Sequence, residues 1–155
     1  MKDQSQVKVL GAAGAVIIGF FIFQNFFVPR DDIGLCRHIL KKLVNSSSSV
    51  EKLIDWEALK SGEVEVGKTF SGYSDPKQKL VYKNAFIRSF SLSFKLTGAK
   101  LGDFYGWRVY ARDSQKTTVA VDGKGGTVYF SLSNPRYGNK KLIDIQWKLK
   151  EPSQP

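Results

Sequence analysis

The sequence predicts an α+β domain behind an apolar N-terminal segment, with the helices first and the strands after them. Three observations support this prediction: an uncharged run early in the chain, then apolar positions spaced three and four apart, then apolar and polar positions that alternate. The 155 residues are enough for one modest domain and an anchor. We divide the chain into a short tail (1–8), a membrane segment (9–28), an α+β domain (29–150) and a disordered tail (151–155).

Residues 9–28, VLGAAGAVIIGFFIFQNFFV, hold no charged side chain. At about 1.5 Å per residue, a helix of this length spans roughly 30 Å, which is the hydrocarbon thickness of a bilayer. The apolar run continues through bulky residues into Pro29, without the small residues of a cleavage site. An uncleaved signal-anchor helix is therefore favoured over a cleaved signal peptide, which stays open as the alternative.

Small residues recur at every fourth position of this segment, at Gly11, Ala15 and Gly19. Membrane helices approach closely where small residues meet, so the stripe predicts a helix–helix contact within a homo-oligomer or with a membrane-complex partner. Ordinary use of glycine and alanine in a membrane span explains the same stripe equally well. Both interpretations stay open.

The chain is basic, with a formal net charge of +10. For a tethered domain, attraction to anionic lipid headgroups is the simplest interpretation, and without a recognised motif we expect no nucleic-acid partner. Basic residues number two before the membrane segment and four between residues 30 and 42, which favours a cytoplasmic domain. Short N-terminal tails nonetheless often stay in the cytoplasm, so we expect a single-pass protein of the inner (cytoplasmic) membrane with a periplasmic domain.

Helical spacing governs the first half of the domain. Asp31 and Asp32 predict the start of a helix that runs to about Val44, with lysines at its C-terminal end. Ser48 and Glu51 have capping-box spacing and predict a second helix over residues 50–60. Three glycines between residues 62 and 72 then predict an irregular connection.

The segment FIRSFSLSFKL, residues 86–96, permits either a strand or a helix. Its second half alternates, but aromatic residues recur at every fourth position from Tyr82 onward, and Asp75-Pro76 is a typical helix start. The helix interpretation also explains the stop at Gly98, so we predict a helix over residues 76–98. Because this helix is apolar on two faces, we expect it to lie between two layers.

The second half of the domain alternates as half-buried strands do. The predicted strands are residues 104–112, 117–122, 127–133 and 142–150, and the glycine-rich DGKGG between the second and third is a hairpin turn. In the last strand Ile143, Ile145, Trp147 and Leu149 are expected to face inward. We therefore predict three helices packed on a curved, four-stranded antiparallel sheet.

No residue pattern predicts catalysis. His38 is the only histidine and Cys36 the only cysteine, so a zinc site or a Cys–His pair is not expected. The carboxylates are scattered, and DGKGG lacks the strand–loop–helix context of a phosphate loop. We expect neither enzymatic activity nor a cofactor or metal.

Aromatic residues crowd the long helix and the sheet, and they predict either a well-filled core or an apolar pocket between the two layers. The pocket hypothesis names its lining residues: Tyr82, Phe86, Phe90, Phe94, Trp107, Val109, Phe130, Ile145 and Trp147.

Helices precede an antiparallel sheet in the predicted order, and three segments carry a family pattern: IDWEALKSGEVEVGKTF (54–70), SDPKQKLVYKNAFIRSFSLSF (74–94) and VYFSLSNPRYGNKKLIDIQWK (128–148). This order and these segments resemble the nuclear transport factor 2-like superfamily. Within it, the pattern is most similar to the periplasmic phospholipid carriers known as MlaC or toluene-tolerance proteins. The resemblance implies a cone-shaped, non-enzymatic domain that takes lipid acyl chains between helix and sheet. Members of that family are longer and are released as soluble shuttles, whereas this chain is predicted to keep its anchor.

Two functions follow as expectations. The first is a membrane-anchored domain that binds an apolar ligand such as phospholipid and handles lipid at the inner membrane. The second is a scaffold or assembly subunit of a membrane complex, because tethered assembly factors of type IV secretion systems in the same superfamily share this topology.

Overall fold

The computed structural model describes residues 31–150. The predicted tails (1–8 and 151–155), the membrane segment (9–28) and the stripe of Gly11, Ala15 and Gly19 lie outside the described residues. Within residues 31–150, no helix is both long and apolar enough to cross a membrane. In that part of the chain the helices precede the main strands, so the predicted α+β class is confirmed.

The first and last predicted helices are confirmed. Helix α1 (Asp32–Val44) begins after Asp31, whose carboxylate accepts a hydrogen bond of 2.6 Å from the Gly34 amide. The long helix, here α3 (Pro76–Leu96), begins after Asp75, whose carboxylate accepts from the Lys77 amide at 3.0 Å. Both caps satisfy amides that the first helical turn leaves without a partner.

The prediction of a helix over residues 50–60 is wrong. A 3₁₀ helix (Ser48–Leu53) occupies the start, and the chain then extends through Ile54, which bridges to Leu142 in the sheet. A short strand, β1 (Lys60–Ser61), follows. The connection predicted to be irregular contains a short helix, α2 (Val66–Ser71). The apolar side chains of residues 50–59 meet the sheet edge, and pairing with that edge prevails over helix propensity.

The four predicted strands form, but the sheet has a fifth strand and is mixed. The strands are β2 (Tyr105–Arg112), β3 (Lys116–Gly123), β4 (Gly126–Ser133) and β5 (Leu142–Leu149), in the order β1-β5-β4-β3-β2. The last four pair antiparallel, whereas β1 pairs parallel with β5. The predicted four-stranded antiparallel sheet is therefore corrected to a five-stranded mixed sheet.

The core lies between the helices and one face of the sheet. Ile39 and Leu43 of α1 and Val119 and Phe130 of the sheet are inaccessible to solvent. Ser91 of α3 donates a buried hydrogen bond of 2.6 Å to the carbonyl of Val44, which fixes the crossing point of the two long helices. The packing of both helices on one sheet face positions the pocket described below.

Two burial predictions are wrong within the described residues. The register shift between Ser131 and Leu132 turns Leu142 into the core in place of Ile143, and Leu149 is 78% exposed. The second apolar face of α3 also has no covering layer in the described part of the chain, where its largest side chains are more than half exposed: Val81, Leu92 and Leu96.

Candidate ligand pocket

A cavity of about 450 Å³ lies between the C-terminal half of α3 and the sheet. Its walls come from α1, β1 and the glycine after it, α3 and its C-cap, the residue before β2, and strands β4 and β5. We call it the helix–sheet pocket. Its lining residues are Leu40, Ser61, Gly62, Phe86, Ser89, Phe90, Ser93, Phe94, Thr97, Phe104, Val128, Ile145 and Trp147.

The pocket stays open because small residues stand where large ones would fill it. Ser89 and Ser93 lie one helical turn apart on the flank of α3 that faces it. On the opposite side, β1 ends after two residues, and Gly62, with a φ of +59°, turns the chain away from β5. A residue with a side chain is disfavoured at that φ, so glycine suits the turn.

The interior of the pocket is aromatic. Phe94 stacks on Phe104 with ring centroids 5.8 Å apart, and Phe104 meets Trp147 edge-on at 6.1 Å. No charged side chain is among the lining residues, and the polar ones are hydroxyl-bearing residues on the α3 and β1 sides. Apolar walls with a few polar groups at the rim are typical of sites that bind an apolar small molecule.

Five of the nine residues proposed from the sequence line this pocket: Phe86, Phe90, Phe94, Ile145 and Trp147. The sequence interpretation missed Leu40, Phe104 and Val128, among others. Leu40 lies on the apolar stripe of α1 and Val128 on the alternating apolar face of β4, so facing positions in the two layers could have indicated both. Phe104 was placed in a strand and turns inward just before β2.

The other four proposed residues do not line the helix–sheet pocket. Tyr82 lies toward the start of α3 and contacts Phe70 and Tyr73, with ring centroids 6.4 and 5.5 Å away. Phe130 is fully buried beneath Trp107, which stacks on it at 5.8 Å, so both fill the core.

Val109 lies at another cavity, of about 390 Å³, where the described chain begins. There the carboxylate of Asp32 binds Arg112 at 2.6 Å and Lys140 at 2.7 Å, and this contact ties α1 to the sheet. Trp147 is five residues along β5 from Leu142, or about 16 Å at roughly 3.3 Å per residue. The helix–sheet pocket therefore lies toward the other end of the strands.

The described titratable groups offer no catalytic arrangement near the pocket. Burial raises the pKa of the Cys36 thiol, which keeps it protonated, and burial beside Lys42 and Lys41 lowers the pKa of His38. Burial also raises the pKa of Asp144, whose Oδ1 has no hydrogen-bond partner. Within residues 31–150, no group of three or more histidine, cysteine, aspartate or glutamate residues is placed to hold a metal ion.

No family model matches this chain, and no curated protein or solved structure matches it either. The resemblance to the nuclear transport factor 2-like superfamily and to MlaC proteins therefore stays a prediction. It rests on the order of the helices and strands and on the sequence segments quoted above.

Proposed function

We propose that this chain is a non-enzymatic, membrane-anchored domain that binds an apolar ligand, with a phospholipid acyl chain as the ligand, in lipid handling at the inner membrane. The observation that carries the proposal is the helix–sheet pocket, with Phe90, Phe94 and Trp147 in its walls. Its volume of about 450 Å³ lies within the range of roughly 300–1,000 Å³ that ligand sites occupy.

The chemistry of the pocket suits an acyl chain. An acyl chain that replaces water against the aromatic and aliphatic walls stabilises the complex by about 25 cal/mol per Å² of apolar surface removed from water. Ser89 and Ser93 are exposed residues at the rim, where their hydroxyls can donate hydrogen bonds to the polar end of a lipid. The Thr97 hydroxyl already donates to the carbonyl of Phe94.

The predicted membrane anchor supports a local role. The predicted anchor ends at Val28, four residues before Asp32, so the chain can bridge at most about 14 Å there. The net charge of +10 favours contact with anionic headgroups. A domain held this close to a bilayer samples its lipids continuously but cannot diffuse between membranes.

The test is native mass spectrometry of the full chain purified from membranes. We expect a reproducible mass increment that lipid extraction identifies as phospholipid. Ser93→Phe places a ring in the pocket, so the increment should fall at least tenfold. Leu92→Phe adds a similar ring on the exposed outer face of α3 and should keep the increment unchanged. An empty wild-type domain, or equal loss in both variants, contradicts the proposal.

A scaffold or assembly subunit is the second candidate function. The outer face of α3 favours it, because Val81, Leu92 and Leu96 are 67%, 60% and 79% exposed. Exposed apolar rows of this kind often mark protein contacts. Cross-linking in native membranes tests this candidate, with Gly11, Ala15 and Gly19 as the predicted contact within the bilayer. A strictly monomeric, partnerless chain contradicts it.

A further inference from the structure

Among residues 31–150, part of the outer edge of strand β5 has no pairing partner, beside the helix–sheet pocket. Its outer neighbour in the described residues is β1, which pairs with it at only two positions: Lys60 with Asp144, and Ser61 with Ile145. The chain then leaves the sheet at Gly62. Over residues 146–149 no strand in the described part of the chain covers this side of β5.

The backbone groups that face this edge follow from strand geometry. The amide of Gly62 donates to the carbonyl of Ile145 at 2.9 Å, so the backbone of Ile145 faces β1. The N–H and C=O groups of successive residues point to opposite edges of a strand. The backbone N–H and C=O groups of Trp147 and Leu149 therefore point to the same edge as those of Ile145, which is the free edge. The amide of Lys150 donates to Gly125, on the other side, as this alternation requires.

The free edge and the pocket meet at Trp147. Its side chain lines the pocket, while its backbone faces the unpaired edge. A strand added here would send every second side chain to the same sheet face as Trp147, toward Phe90 and Phe94. An edge that offers backbone hydrogen bonds next to an apolar pocket has the two parts that β-strand addition uses.

The charge around the edge restricts the partner. Lys148 lies on the outer sheet face, where its Nζ is 5.3 Å from the centroid of the Tyr129 ring. Lys150, two residues further along, follows on the same face by strand alternation. Lysines on an edge oppose unselective pairing with other strands, so a partner strand has to offset their charge. Acidic side chains at alternate positions of an added strand would lie on this outer face and would complement both lysines.

We propose that the free edge of β5 binds an extended peptide with apolar and acidic residues in alternation, with one apolar side chain in the helix–sheet pocket. The inference rests on the proposed function only in that it uses the same pocket. It assigns that pocket a protein ligand as well, whose backbone pairs with Trp147 and Leu149. A peptide held in this way competes with an acyl chain for the same walls.

The test measures binding of a fluorescent peptide, EVEFEVE, by anisotropy to the detergent-solubilised full chain after its co-purified lipid has been removed, so that no acyl chain competes for the pocket. The control peptide, EEVFVEE, has the same composition without the alternation. Leu149→Pro removes an amide donor from the edge. An edge strand tolerates proline at this position, because Leu149 is 78% exposed and its amide faces outward. Leu149→Ala keeps the amide and is the matched variant.

We expect EVEFEVE to bind at least tenfold more tightly than EEVFVEE. Leu149→Pro should weaken that binding about tenfold, and Leu149→Ala less than about threefold. Equal binding of the two peptides, or equal affinities of the two variants, overturns the inference. Phospholipid binding is measured on separate samples of the full chain, purified from membranes with its lipid retained. Lipid without peptide binding refutes the inference alone, whereas peptide binding without lipid refutes the proposed lipid function alone.

Discussion

Helix α3 carries aromatic rings at four-residue spacing from Tyr82 to Phe94, yet its two halves have different surroundings. Beside the N-terminal half, Tyr82 contacts Phe70 at 6.4 Å, and Phe70 contacts Trp56 at 6.0 Å. Phe86 lies at the boundary, since it meets Trp56 edge-on at 5.7 Å and also lines the pocket. Beside the C-terminal half, Phe90 and Phe94 face the open helix–sheet pocket. We call the first region the filled half and the second the open half.

The difference arises in the elements that face α3. Helix α2 packs on the chain before β1, where the Gly67 amide donates to the carbonyl of Leu59 at 2.8 Å. It also meets the filled half of α3, because the Tyr82 hydroxyl donates to the carbonyl of Val66 at 3.4 Å and the Phe70 ring lies 6.4 Å from that of Tyr82. In the open half the chain turns away at Gly62 instead. Ring spacing on one helix therefore predicts which face is buried, whereas the opposing elements decide whether the space beneath it is filled.

The largest expected effect is at the close contact of the filled half. A Cβ on Gly67 would lie 2.0 Å from the carbonyl oxygen of Glu57. Gly67→Ala should therefore cost more than about 4 kcal/mol of the free energy of unfolding, measured by urea denaturation of the detergent-solubilised full chain. Gly102→Ala, where a Cβ meets nothing within 4 Å, should stay within about 0.5 kcal/mol. Similar values for the two variants would show that α2 does not pack as described.

A pair of phenylalanine truncations sharpens the comparison. Phe70→Ala removes a ring from a closed cluster and should cost about 3–5 kcal/mol of unfolding free energy. Phe90 is half-buried and already faces a cavity, so Phe90→Ala should cost less than about 2 kcal/mol. Urea denaturation of both variants provides the measurement. A larger cost at Phe90 than at Phe70 reverses the assignment of filled and open halves.

We expect the ion pairs of Asp32 with Arg112 and Lys140 to stabilise the fold independently of the filled and open halves of α3. Asp32→Ala leaves Arg112 and Lys140 without their shared carboxylate and should cost about 1–3 kcal/mol of unfolding free energy. Glu65→Ala breaks an exposed pair with Lys60 and should cost less than about 0.5 kcal/mol. Phospholipid binding, measured by native mass spectrometry, should survive Asp32→Ala, and its loss would connect this contact to the pocket.

The smallest expected effect is a pH dependence at Asp144. Burial raises the pKa of its carboxyl in the folded chain, so the folded state binds the proton more tightly than the unfolded state. The stability that Asp144 contributes is then complete in acid and is lost as the pH rises through the raised pKa. Relative to the unsubstituted chain, Asp144→Asn should become more stable as the pH rises from acid to neutral. Urea denaturation of both proteins at each pH provides the measurement. A constant difference across pH contradicts this assignment.

The sequence predicted local structure well and pairing between distant segments poorly. The caps at Asp31 and Asp75 and the alternation in β3 and β4 are local signals, and the structure follows them. Strand β1 is a two-residue pairing with β5, which lies more than eighty residues further along the chain, so no local period marks it. Without β1, neither the turn at Gly62 nor the free edge of β5 could be predicted.

The candidate site divides in the same way. The helical spacing placed Phe86, Phe90 and Phe94 on one face, and the strand alternation placed Ile145 and Trp147 opposite them. The same rules selected Tyr82 and Phe130, which pack in the filled half and in the core. Periodicity reports the direction of a side chain, but the volume left beside it depends on residues remote in sequence.

Quenching by brominated phospholipid tests the central claim, that the open half of α3 admits an acyl chain and the filled half does not. Two full-length variants in nanodiscs would each keep one tryptophan, Trp147 in the pocket or Trp56 in the aromatic cluster, with phenylalanine at the other two positions. Bromine quenches fluorescence at short range, so we expect strong quenching of Trp147 and little of Trp56. Equal quenching of both, or none of Trp147, would contradict the account.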